Sequence, residues 1–88
     1  MVVLITYDLK KPGQDYSRLH AAIKELGQWW HYLESTWLVA TGLSTAQVSD
    51  RLRREIDQND GLLVIRVMKD YSGWLSQDAW DWMNSQTY

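Results

Sequence analysis

The chain has no cysteine, no phenylalanine and a single proline. Without cysteine there is no disulfide, no thiolate zinc site and no cysteine nucleophile. Long apolar runs are missing as well. Val2 to Ile5 and Leu62 to Ile65 are far too short to span a bilayer, and no charged n-region leads into an apolar segment. No membrane span is expected, and the expected location is the cytoplasm. A basic excess is also lacking. The formal net charge is −2, whereas proteins that hold nucleic acid mainly by charge neutralise phosphates with surplus Lys and Arg. There is no glycine-rich phosphate loop, no HExxH and no paired Cys/His ligand set, so nucleotide-binding and zinc-hydrolase chemistry have no residues behind them.

What the chain does have is aromatic residues with a polar atom: six Trp and five Tyr among 88 residues. These side chains favour interfaces and half-buried positions, which points to protein contacts before nucleic-acid contacts. The length suits one domain with one core. A domain of this size hides only roughly 60–70% of the surface its unfolded chain exposes, so a dimer is expected.

Val2 to Asp8 is β-branched and aromatic, hence a strand, and Lys10, Lys11, Pro12 and Gly13 break it. Asp15 is placed to cap a helix from Tyr16 to about Leu26, with Tyr16, Leu19, Ile23 and Leu26 in helical register. Gly27 is expected as its left-handed stop. Trp29 to Glu34 and Thr36 to Thr41 read as two strands of a tight hairpin. Ser44 and Gln47 make a capping box for a helix from Thr45 to about Gln58, with Val48, Leu52 and Ile56 inward. Leu62 to Met68 is the fourth strand. In the tail, Ser76 is placed to cap a short helix carrying Trp80, Trp82 and Met83.

This order, strand–helix–strand–strand–helix–strand, predicts an α+β, ferredoxin-like βαββαβ domain over residues 1–69, with two helices on one face of a four-stranded antiparallel sheet, and a Trp-rich extension over residues 70–88. Strand alternation leaves both sheet faces mostly apolar. Helices cover one face. The other needs either a second chain, with the tail packing across a homodimer, or the chain's own tail folded back on it.

Asp8 is the most informative single residue. It ends the first strand on the face away from the helices, so two copies pairing by their sheets would bring two such carboxylates together. Such a pair suits one Mg²⁺ or Mn²⁺ in phosphodiester cleavage. The alternative is an Asx turn closing the strand. His20 and His31 are the only histidines, each readable as a general base or as a packed residue. Asp50 with Arg54 and Arg51 with Glu55 are spaced to pair on a helix surface. Arg66 shares a strand face with Leu62, Val64 and Met68 and is expected to meet a carboxylate. Trp37 could stack on a base, as in RNA-recognition modules of similar element order, but its strand lacks their basic residues and glycine. A buried hairpin Trp is the competing reading.

A β-rich start ending in Tyr7-Asp8, a helix closing in Leu26-Gly27, and a hairpin containing Tyr32 and the triplet Ser35-Thr36-Trp37 together resemble the small CRISPR-associated adaptation subunit, the partner of the spacer integrase. That family's triplet is usually Ser, an aliphatic residue and Phe, so Thr36 and Trp37 are variants. The similarity runs from Met1 to about Met68. The same superfamily includes ribonuclease toxins related to virulence-associated protein D and a compact, Trp-rich, SinR-like branch. The phrases WWHYLESTWL and AWDWM are most similar to that branch. The resemblance implies a ferredoxin-like homodimer with Asp8 as a metal-linked carboxylate and Tyr7 beside it. It implies either a Mg²⁺- or Mn²⁺-dependent endonuclease, acting on RNA more than DNA, or a non-catalytic scaffold that docks a larger protein. The arginine-rich stretch that often follows the Asp is replaced here, leaving Lys10, Lys11 and Arg18 as the basic residues for nucleic acid. A Trp segment stands where a docking strand is usual, so Trp80 and Trp82 are the expected contacts for a protein partner.

Overall fold

β-Branched Val2, Val3, Ile5 and Thr6 favour a strand, β1 (Val2–Asp8), around which the others assemble. The chain continues through α1 (Ser17–Lys24), β2 (Gln28–Leu33), β3 (Thr36–Ala40), α2 (Thr45–Arg53), β4 (Gly61–Val67) and α3 (Gln77–Asn84). This computed structural model describes residues 1–10 and 16–88, the Tyr32 side chain excepted. The expected cap at Asp15 and the turn residues Lys11, Pro12 and Gly13 lie outside the described residues. The result is a small α+β fold. Its four strands form one sheet in the order β2-β3-β1-β4, each neighbouring pair antiparallel.

Cross-strand register sorts the side chains into rows, because directly opposed residues share a face. On one face lie Val3, Ile5 and Tyr7, opposite Val39 and Trp37 on β3 and Arg66, Val64 and Leu62 on β4. Helices α1 and α2 close this face with Leu19, Ala22, Ile23, Val48 and Leu52, all buried with Val3, Ile5, Trp37 and Val39. Arg66 therefore belongs to the helix-covered face, at its edge. It is exposed, and no carboxylate among the described residues forms an ion pair with it.

The other face carries three rows: Gln28–Ala40–Val2–Val67, then Trp30–Leu38–Leu4–Ile65, then Leu33–Thr36–Thr6–Leu63. The chain's own tail covers the first row and much of the second. Ala79 and Met83 of α3 are buried with Val2, Trp30 and Leu38, and Tyr71, Leu75, Trp80, Trp82 and Tyr88 pack around them. Tyr71 stacks on Trp80, with ring centroids 6.2 Å apart and planes 11° from parallel. The end of the chain is pinned by the Tyr88 hydroxyl, which donates to the Met83 carbonyl at 2.6 Å. Burial, and then its neighbour Tyr71, push that hydroxyl's pKa up. Ser76 stands at the N-cap of α3, but its side chain makes no cap bond. Its carbonyl accepts from Ala79 and Trp80 instead.

Three local expectations are corrected. Gly27 has φ +158°, far from the left-handed helical region near +57°. Glycine is still needed there, because this positive φ is one that L side chains rarely adopt and because a Cβ would stand 1.9 Å from the Ala40 carbonyl oxygen. Helix α2 opens with the expected Ser44–Gln47 capping box but ends at Arg53, not near Gln58. Asp57 and Asp60 explain the early stop. Asp57 accepts from Asn59 N–H at 3.0 Å and Asp60 accepts from Asp57 N–H at 2.8 Å, offering the backbone a turn in place of the helix. On the α2 surface Arg51 pairs with Glu55 at 3.2 Å as expected, whereas Asp50 meets Arg53, at 4.0 Å, and not Arg54.

Candidate functional site

Asp8 ends β1 on the outer face, beside Thr6 and opposite Gly61. A shallow depression there is lined by Thr6, Tyr7, Asp8, Gly61, Leu62 and Leu63. The Asp8 carboxylate is exposed and ion-paired with the Lys10 ammonium. It does not close an Asx turn. The Lys10 backbone N–H that such a turn would use goes instead to Asp60, at 2.8 Å. Among the described residues, no group of three or more His, Asp or Glu side chains is arranged to hold a metal ion. Among the described residues the Lys10 ammonium is the side-chain partner that Asp8 meets.

Tyr7 points the opposite way, under α1, into a cluster that the sequence did not announce. Its hydroxyl accepts from the Trp37 indole N–H at 3.0 Å and lies 3.2 Å from His20 Nε2. Trp37 is 1% exposed, so it is a buried hairpin Trp and presents no stacking surface to solvent. On its other side His31 stacks on it, with centroids 3.8 Å apart and planes 3° from parallel. Trp29 flanks Trp37 at 5.3 Å and is 42% exposed, with the Lys24 ammonium 5.0 Å above its ring. Regular pairing assembles this group: Trp29 opposes Val39 and Trp30 opposes Leu38, so the next step of the same register sets His31 opposite Trp37. Leu33 then opposes Thr36, so β2 spends one more residue than β3 over the interval, a β-bulge beside the cluster.

The remaining expected contacts are scattered. Lys10 and Arg18 are exposed, and Lys11 lies outside the described residues. Trp80 and Trp82 are half-buried in the tail's packing against the sheet. The fully presented tryptophan is Trp74, 98% exposed in the segment before α3. No local pattern distinguished it from its neighbours. The third row of the outer face is also open, with Leu33 45%, Leu63 53% and, beside it, Ile65 49% exposed. Between the leucines the Thr36 hydroxyl donates to Thr6 at 3.2 Å. Among the described residues no helix is long and apolar enough to cross a membrane. No protein-family model matches the chain.

Proposed function

We propose that the protein is a ferredoxin-like module that pairs with a second copy through the open end of its outer sheet face and docks a larger protein through Trp74. One observation carries this reading: the row Leu33–Thr36–Thr6–Leu63, with Ile65 adjoining, is left uncovered by a tail that covers the rest of the same face. An apolar row continuous with a packed core is most simply closed by the same row of another copy. Two-fold pairing makes one patch self-complementary, and the threonine pair at its centre meets its own mate. Trp74 lies outside the tail's own packing, and tryptophan is among the residue types enriched at interface hot spots. The scaffold side of the family resemblance fits this arrangement, as does the acidic net charge.

A second reading keeps the chemistry at Asp8. Asp8 shares the outer face with Leu63, so pairing by that face carries two Asp8 carboxylates into one interface. It would thereby supply a second carboxylate ligand for Mg²⁺ or Mn²⁺. Metal-dependent cutting of RNA or duplex DNA that disappears in Asp8→Ala would establish this reading.

Thr6→Cys tests the pairing, because the chain is otherwise free of cysteine. A short bis-maleimide should join two copies through Cys at the centre of the row, and Asp50→Cys on the exposed surface of α2 should stay single. Equal linking of both variants, or of neither, would contradict the proposed interface.

A further inference from the structure

We infer that the outer edge of β4 docks an extended segment of another protein, one that alternates aliphatic and acidic residues. This inference concerns the rim of the sheet and does not rest on the pairing proposed for its outer face. β2 and β4 are the two edge strands. An edge presents a row of backbone N–H and C=O groups to any strand that meets it, and natural edges are blunted by bulges, proline, lysine or shortness. β2 is interrupted by its bulge against β3. β4 has none of these devices. It runs for 7 residues, GLLVIRV, in unbroken register with β1 from Gly61 opposite Asp8 to Val67 opposite Val2. Alternate backbone groups of such a strand face β1, and the rest point outward. Among the described residues, no hydrogen bond beyond that ladder engages Gly61 to Val67.

The side chains along this edge select the occupant. On the outer face Leu63 and Ile65 are exposed. A fifth strand sets every second residue beside them, and aliphatic side chains at those positions take both out of water. On the helix-covered face the same strand meets cations. Arg66 stands near the end of β4, and Arg54 at the C-cap of α2; both are exposed, and neither forms an ion pair among the described residues. A groove of about 520 Å³ between α2 and the start of β4 is lined by Arg53 and Arg54 together with Ile56 and Leu62. Its carboxylates are already engaged. Asp50 pairs with Arg53, Asp57 accepts from the Asn59 N–H, and Asp60 accepts from the N–H groups of Lys10 and Asp57. Acidic residues at the remaining alternate positions of the added strand therefore complement Arg54 at one end of the edge and Arg66 at the other. A basic segment is repelled by the same pair.

The test titrates the full chain, by isothermal calorimetry, with a blocked peptide of alternating valine and glutamate as long as β4. This peptide should bind, and its valine–lysine counterpart should bind at least about ten-fold more weakly. Two N-methylated forms of the valine–glutamate peptide separate strand addition from simple charge attraction. In an added strand one alternate set of amides faces β4, so methylating that set should weaken binding at least about ten-fold. Methylating the other set should leave binding unchanged. Arg66→Glu should weaken the valine–glutamate peptide about ten-fold and strengthen the valine–lysine one, with circular dichroism confirming the fold. Arg54→Glu, on the surface of α2, should act in the same direction and serves if Arg66→Glu misfolds. No binding of the valine–glutamate peptide, the same affinity for both N-methylated forms, or identical binding by wild type and both variants would overturn the inference. So would a change in the solution mass of Arg66→Glu, which would give the edge to a second copy.

Discussion

The Asp60 carboxylate accepts the backbone N–H of Lys10 at 2.8 Å, fastening the residues after β1 to the loop that enters β4. It also receives the Tyr16 hydroxyl at 3.2 and 3.3 Å and the Asp57 N–H at 2.8 Å. One side chain thus ties together the entrance to α1, the end of β1 and the loop after α2. The Lys10 bond leads the causes that hold its pKa below the ordinary carboxylate value, against opposing desolvation. A carboxyl lowered in the folded state stabilises it fully above the unfolded pKa, and that contribution fades as pH falls through the folded pKa. Asp60→Asn should therefore melt lower than wild type at neutral pH. The gap should close as pH drops below the ordinary carboxylate range. Thermal unfolding of both proteins across an acid series checks this.

Gly27 faces the Ala40 carbonyl so closely that a methyl group cannot enter without shifting β3. Gly27→Ala should lower unfolding free energy by about 1–3 kcal/mol, the usual penalty of overpacking. Urea titration measures it. A neutral result would mean that the start of β2 yields at little cost.

Met83 and Trp74 belong to the same tail but should behave oppositely. Met83 is buried against Val2, Leu38 and Trp30, so Met83→Ala should cost about 2–5 kcal/mol. Trp74→Ser should change stability by no more than about 0.5 kcal/mol. Affinity chromatography on immobilised wild type and Trp74→Ser should then show whether protein capture depends on Trp74. Parallel urea curves confirm that the two baits are equally folded.

Much of this architecture was legible in the sequence, for physical reasons that differ by residue. Ser44 and Gln47 announce the start of α2 because a capping box is satisfied within four consecutive residues. The alternation of β1 sorts its faces correctly because the strand period is fixed. The end of α2 was misread because Asp57 and Asp60 act through side-chain bonds that helix periodicity does not register. Gly27 was placed in the left-handed helical region, whereas its positive φ is nearer extended and the carbonyl of β3 that crowds it is visible only after folding. At the sites the difference is sharper. Asp8 stands out as a strand-ending carboxylate, yet its local partner is Lys10. The histidines looked unremarkable in the sequence because the register between β2 and β3, which sets His31 against Trp37, is visible only once the strands pair. Whether the tail packs on its own chain or across a dimer was likewise open until α3 was seen packed on its own strands.

Solution mass tests the central claim, pairing through the open row, most directly. Sedimentation equilibrium of wild type and Leu63→Asp, with circular dichroism confirming equal secondary structure, compares each with the 10.4 kDa chain. The account predicts twice that mass for wild type and the single-chain mass for Leu63→Asp, because a charge at this half-exposed position opposes face-to-face burial but not folding. A wild type that stays at the single-chain mass at every concentration, or a Leu63→Asp protein as dimeric as wild type, would contradict it.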